Sequence, residues 1–338
     1  VSPWDAERFE AVATLLAGHL GRLGRDLALA RACDIGCGGG GLLVALRAQG
    51  VGVVVGVDLA EANVRLARAQ AAVVAHTGSI DEVPDEMGLF DLVTVSHVAE
   101  HMVDPVRDLR VIAARTAPDG LIYVEVPDAR GFSSYAAEPM REINIEHVNH
   151  FSPMTLRLLL ESTGYAVRAE GSRIMHMGGS ATPAVWAIGQ RANHPPVTRP
   201  TLDTSLVDGL VEYLETSGAA YMELAARVAE VCRRHRHVKV WGASYVSEKL
   251  LGDGVFAGVD VVFVDGNPAK QGQLMGGAPV GPVEWLAHGT APVVLTSASY
   301  EPEMLRRLRD ELHHHGEVVS LSGAGRTAQG GEDHRQPR

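Results

Sequence analysis

The stretch Cys33–Leu46, CDIGCGGGGLLVAL, decides how the N-terminal half of the chain is read. An apolar run ends at Asp34 and Ile35, glycines follow, and a helical apolar pattern opens at Leu42, which is the order strand, tight turn, helix. Gly36, Gly38 and Gly41 satisfy G-x-G-x-x-G, and Asp58 closes the next strand-like run at the distance where an acid meets a ribose hydroxyl, so a dinucleotide site is permitted. The same residues also read D-x-G-x-G-x-G through Asp34, Gly36, Gly38 and Gly40. A helix N-terminus already attracts anions, so a carboxylate at the mouth of the turn works against a pyrophosphate and suits a ligand carrying an ammonium and a sulfonium group. The plainer role for Asp34 is that of a turn or cap residue.

Outward from this turn, β-rich runs alternate with helical patterns to about Arg191, as in a mostly parallel sheet with helices on both faces. The strand candidates are ARACDIG, GVVVGVD, AVVAHTG, FDLVTVS and GLIYVEVP. Two further runs, YAVRAEGSRIM and PAVWAIGQR, are separated only by HMGGSAT, too short for a crossover helix, so they should pair antiparallel. The spacing predicts a first domain over residues 1–191 and a proline-rich linker over 192–205. A second domain over 206–322 opens with one long helix, weakened at Gly218, followed by a smaller α/β unit on HVKVWGAS, VDVVFVDGN, APVVLTSAS and GEVVSLS. The polar, Gly-rich residues 323–338 read as a disordered tail.

The chain has 338 residues, enough for two cores, and 46% apolar with 21% charged residues marks an ordinary globular protein. A net charge of −11 argues against a nucleic-acid footprint, which makes a small molecule the expected partner. Cys33 and Cys37 straddle the glycine turn and Cys232 falls in a helical pattern, so neither a disulfide framework nor a zinc site is expected, and a reducing cytoplasm fits. No run of 18 or more apolar residues and no secretory leader is visible, so no membrane span is expected.

DIGCGGG, Asp58 in VVGVDLAE, GSIDEVP, the long run FDLVTVSHVAEHMVDPVRDLRVIAARTAPDGLIYVEVPD and the closing antiparallel pair together resemble the class I S-adenosylmethionine-dependent methyltransferases, over roughly residues 30–190. The resemblance implies a Rossmann-like sheet, parallel with one antiparallel strand, and S-adenosylmethionine as cofactor. It places Asp34, Gly36, Gly38 and Gly40 at the methionine end, Asp58 at the ribose, Leu59 on the adenine face, and Ser79 with Ile80 at the adenine edge. The family commonly has Asp where this chain has Ser79. Ser96 and His97 fall at the end of the fourth strand, where the resemblance puts the transferable methyl.

The connection PDARGFSSYAAEPMREINIEHVNHFS exceeds the usual length of a βα loop, and such loops are more often binding loops than idle connections. Ser152 and Pro153 already supply an N-cap and an N1 proline for the next helix, which leaves Glu146 and His147 free for another role. A carboxylate beside an imidazole orients it for base catalysis near neutral pH. His147 and His150 are three apart with no third ligand evident, so no metal is expected there. His101, in AEHMVDP, reads equally as a capping or packing residue and as a catalytic one.

E-H-x-x-x-F-S ahead of TLRLLLESTGY, followed by VKVWGASYVSEKLL and VVFVDGNPAKQGQLMGGAPVGPVEWL, resembles the sugar C-methyltransferases that act on nucleotide-linked keto-deoxysugars. Their N-terminal four-cysteine zinc domain has no counterpart here, and the tyrosine usual two residues before the Glu is Asn144. The resemblance implies His147 as the base, Glu146 as its orienter and His101 as a second polar contact; Asn144, His150 and Tyr135 are the expected acceptor contacts. The expected activity is methylation of a small molecule, at carbon on a nucleotide-linked keto-sugar or related natural-product intermediate. Oxygen methylation of a hydroxyl is the alternative, and a nicotinamide-dependent oxidoreductase remains open on Gly36, Gly38, Gly41 and Asp58 alone.

Overall fold

The computed structural model describes residues 3–70, 73–135, 138–177, 180–193, 199 and 201–322, so the expected tail and residues 194–198 and 200 of the expected linker lie outside the described residues. The chain divides into two compact units, one of residues 1–135 with 142–212 and one of residues 136–141 with 213–338. No described helix is long and apolar enough to cross a membrane.

The first unit runs α1 (Pro3–Arg22), β1 (Arg31–Ile35), α2 (Gly41–Ala48), β2 (Val53–Asp58), α3 (Glu61–Arg68), β3 (Val74–Thr77), β4 (Phe90–Ser96), α4 (Pro105–Arg115), β5 (Thr116–Pro127), α5 (Phe132–Tyr135), α6 (Pro153–Ser162), β6 (Tyr165–Met177) and β7 (Ser180–Arg191). The sheet order is β3-β2-β1-β4-β5-β7-β6. β1 pairs parallel with β2 and β4, while β7 pairs antiparallel with both β5 and β6, so β7 is the reversed strand the sequence pattern requires. The order reverses direction between β1 and β4, which opens a crevice at their carboxyl ends.

Alternation along each strand feeds two cores. Cys33 and Ile35 of β1, Val93 and Val95 of β4, and Ile122 and Val124 of β5 pack with Leu109 and Ile112 of α4 and Leu156 and Leu160 of α6. Ala32, Leu92, Leu121 and Tyr123 point the other way, onto Leu16 and Leu20 of α1, Leu42 and Leu46 of α2, and Val64 of α3. A sheet covered on both faces needs near-continuous apolar strands, which is why these runs look uninterrupted in sequence. Helix starts follow local chemistry: Asp104 caps α4 by accepting from Arg107 N ahead of Pro105, and Ser152 caps α6 by accepting from Thr155 N ahead of Pro153.

The long helix α7 (Thr204–Arg234) passes through Gly218 without a break, and its residues to Glu212 belong to the first unit. The second unit continues with β8 (His237–Trp241), α8 (Tyr245–Gly252), β9 (Asp260–Val264), the hairpin β10 (Leu274–Met275) and β11 (Ala278–Pro279), β12 (Val293–Leu295), α9 (Glu301–Asp310) and β13 (Val318–Val319). Its sheet, β13-β12-β8-β9, is parallel throughout, a second Rossmann-like arrangement. Lys270 donates to the Ala243 carbonyl at 2.8 Å and so ties down the turn after β8.

Candidate active site

The glycine turn folds back on the end of β2, with Gly36 N and Cys37 N both donating to the Val57 carbonyl at 2.7 and 3.1 Å. Gly36 has φ +70°, and a Cβ there would stand 2.3 Å from Val98 Cγ2, so no other residue fits. Gly38, at φ +52°, has open space where its Cβ would be. Its N–H donates to Asp58 Oδ2 at 2.9 Å, and Asp58 Oδ1 accepts from Ala60 N at 2.9 Å and Asn63 Nδ2 at 3.1 Å. Asp58 is thereby held at the carboxyl end of β2.

A cleft of about 590 Å³ opens at this point, lined among others by Gly36, Asp58, Leu59, Ser79, Ile80 and His101. Leu59 is 82% exposed, an apolar face without a partner to cover it, while Ile80 also packs into the core. Asp81 lines the same cleft. It supplies a carboxylate two residues beyond Ser79, where the expected adenine edge lacks its usual acid. The spacing alone did not single it out.

Asp34 lies deeper than a residue at the mouth of a turn. It is 4% exposed and its Oδ1 accepts from Thr94 Oγ1 at 2.6 Å. Burial raises its pKa to about 7, against the Thr94 hydrogen bond and the Arg8 charge, which pull it down. A cationic ligand group would favour its ionised form; an anionic one would not.

At the end of β4, Ser96 Oγ meets Arg8 Nη1 at 3.2 Å and Glu125 Oε2 at 3.3 Å. Glu125 is fully buried, and two arginines converge on it, Arg8 from α1 at 3.1 Å and Arg173 from β6 at 3.0 Å. None of these three was singled out in sequence, although a lone acid inside the apolar run IYVEVP is the signal that marks a buried ion pair. His97 adopts φ +57°, a left-handed backbone that a histidine holds only when its surroundings impose it. Its Nδ1 lies 3.3 Å from Glu100 Oε1 and its Nε2 3.2 Å from Met175 Sδ.

His101 and His147 come together, their ring centres 5.0 Å apart at 61°. His101 Nδ1 donates to the Glu146 carbonyl at 2.9 Å, because a carbonyl can only accept. The carboxylate facing His147 Nδ1 is Glu142 Oε2 at 3.9 Å, while the exposed Glu146 side chain acts on the imidazole only as the last of the charges around it. Burial lowers the His147 pKa against the opposing pull of Glu100. Glu100, His101 and His147 are also the group of described residues that could hold a metal ion.

The three expected acceptor contacts have different surroundings. Asn144 Oδ1 accepts from Glu146 N at 2.8 Å and His147 N at 3.0 Å, so its side chain builds the turn that carries His147. His150 packs edge-on against Phe132 at 6.2 Å, and burial lowers its pKa. Tyr135 lines a different, smaller cavity with Arg130 and Arg173.

Residues 4–170 match the sequence-family model described as a methyltransferase domain. The ubiquinone biosynthesis O-methyltransferase of Neisseria meningitidis serogroup A is 35% identical over 106 residues, which cover 29% of this chain and 44% of that protein. The protein of the same name from Bordetella bronchiseptica is 31% identical over 130 residues, 36% of this chain and 54% of its own. The chain spans about half the length of the curated relatives it matches. Among solved structures, an S-adenosylmethionine-dependent methyltransferase from Mesorhizobium loti aligns with TM-score 0.40 and 17% identity over 50% of this chain and 95% of that one. Magnesium protoporphyrin IX methyltransferase from Synechocystis PCC 6803 with bound SAH aligns with TM-score 0.41 and 17% identity over 54% and 83%.

The match, the sheet with its single reversed strand and the glycine turn place residues 4–170 among the methyltransferase domains. The domain is of class I, and the cofactor left open by the glycine turn is S-adenosylmethionine rather than a nicotinamide dinucleotide. The cleft at β1, β2 and β4 fits it: Asp58 can accept from ribose hydroxyls and Leu59 offers an adenine face.

Proposed function

We propose that the chain transfers the methyl group of S-adenosylmethionine to a small acceptor at the carboxyl end of β4, with His147 taking the acceptor's proton. The observation that carries this reading is the imidazole itself. His147 is partly buried, burial holds its pKa below the usual value so that it is neutral and basic at pH 7, and its Nδ1 faces Glu142 Oε2 at 3.9 Å. His101, its ring neighbour, lines the cofactor cleft.

The favoured acceptor is a nucleotide-linked keto-sugar methylated at carbon, supported by the E-H-x-x-x-F-S loop and the second α/β unit. His147 removes a proton from the carbon beside the ketone, and the enolate carbon forms the new bond to the methyl group. When bound, the cofactor supplies an electrophilic methyl whose sulfur leaves with the bonding pair as a neutral thioether. Much of the rate comes from holding the nucleophile in line with the methyl–sulfur bond. A second reading, methylation of a hydroxyl oxygen, is favoured by the curated relatives, which are named O-methyltransferases.

Candidate keto-sugar nucleotides incubated in deuterium oxide without the methyl donor test the choice. Deuterium entering at the carbon beside the ketone, and failing to enter with His147→Gln, supports the carbon reading. Methyl transfer to a hydroxyl with no such exchange sinks it in favour of the oxygen reading.

A further inference from the structure

We propose that Glu100, His101 and His147 form a binding site for one divalent transition-metal ion of the zinc and cobalt class. Each of the three offers one ligand atom, and these atoms lie within 4.8 Å of one another. Two imidazoles and a carboxylate are a donor set suited to such ions, whereas calcium and magnesium prefer oxygen throughout.

The second observation is an unsatisfied charge. Glu100 is 2% exposed, its Oε1 faces His97 Nδ1 at 3.3 Å, and its Oε2 is buried with no hydrogen-bond partner among the described residues. A buried carboxylate oxygen left bare costs free energy that a bound cation would recover.

The third is the set of outer contacts. His101 Nδ1 is protonated, since it donates to the Glu146 carbonyl, so Nε2 carries the lone pair, and Nε2 lies 3.9 Å from Glu100 Oε1. His147 Nδ1 faces Glu142 Oε2 at 3.9 Å, which leaves its other ring nitrogen available. His97 orients the Glu100 carboxylate through Oε1, the oxygen that also faces His101. Glu100 and His101 thus each have a partner fixing their direction, the arrangement that raises metal affinity.

Metal–ligand bonds of about 2.0–2.2 Å require the three atoms to draw in by roughly 1 Å. His101 is 40% exposed at its side chain and His147 stands on the long loop after α5, so neither is locked in the core. Coordination would occupy the lone pair that methyl transfer assigns to His147, so the imidazole serves as base only in the metal-free protein. The metal site itself needs neither cofactor nor acceptor.

The test is a Co²⁺ titration of the full chain, stripped with chelator and desalted, followed by visible d–d absorption. One equivalent should produce saturable bands that Zn²⁺ abolishes. Glu100→Gln and His147→Gln should each weaken binding by at least about tenfold. Because Glu100 is buried, the exposed His101→Gln serves as a variant whose fold is less at risk, with far-ultraviolet circular dichroism as the control. Absence of bands, or bands that persist in both His101→Gln and His147→Gln, would overturn the site; the latter would move the ion elsewhere, for example to the His313–His315 run. Calorimetric binding of S-adenosylhomocysteine, run in parallel without Co²⁺, reports on the methyltransferase reading separately.

Discussion

Replacing Asp34 with asparagine should stabilise the cofactor-free protein, and increasingly so as pH rises. The Asp34 carboxyl is buried, and its pKa stands at about 7 in the fold against 3.8 for a solvated aspartate. Between those values the folded chain holds a proton that the unfolded chain has released, so the energy of unfolding falls as pH increases. About three pH units at about 1.4 kcal/mol each set a ceiling of roughly 4 kcal/mol, complete above pH 7 and absent below pH 4. The amide introduced by Asp34→Asn carries no charge at any pH and keeps an oxygen to accept from Thr94 Oγ1, so it escapes the penalty. With relaxation of the site, the variant should gain about 2 kcal/mol at pH 8 and less than about 1 kcal/mol at pH 5. Urea unfolding of both proteins at the two pH values measures the difference directly. An equal gain at pH 5 and pH 8, or a wild type more stable at pH 8, would refute the reasoning. The same variant should lose cofactor affinity, because a sulfonium and an ammonium would face a neutral amide.

Other substitutions follow from the same geometry. Gly36→Ala puts a methyl 2.3 Å from Val98 Cγ2 at φ +70°, and should cost about 1–3 kcal/mol, read as a lower melting temperature. Asp58→Ala removes the acceptor of three hydrogen bonds that shape the glycine turn, and should weaken S-adenosylhomocysteine binding by at least about tenfold, or ~1.4 kcal/mol, in calorimetry. Glu125→Gln leaves Arg8 and Arg173 facing a neutral, fully buried partner, and should destabilise the protein by about 3 kcal/mol in urea unfolding. Since the His147 pKa lies below 6.5, the acid limb of kcat/KM should fall below that pH, and His147→Gln should remove the limb along with most of the rate.

The parallel strands were legible because buried β-runs are apolar without interruption, and the reversed pair because seven residues cannot hold a crossover helix. Helix starts at Ser152–Pro153 were legible from local capping chemistry alone. The site was legible only where its geometry is local. The glycine turn and Asp58 are fixed by a few consecutive residues, and they stand where the pattern placed them. Arg8 and Glu125 are 117 residues apart, and nothing in the periodicity of α1 marks Arg8 as the partner of a strand residue. Glu146 was read as the orienter of His147 by adjacency, whereas the turn built on Asn144 turns Glu146 to solvent and brings Glu142 and Glu100 toward the imidazole. The β10–β11 hairpin was missed because two-residue strands around Gly276 and Gly277 leave too short a pattern to read.

The most direct measurement of the central claim is calorimetric titration of the full chain with S-adenosylmethionine, S-adenosylhomocysteine and NADH. The cleft over Gly36, Asp58 and Leu59 predicts one S-adenosyl ligand per chain, weakened by Asp58→Ala, and no NADH binding. Saturable NADH binding with neither S-adenosyl ligand bound would contradict it.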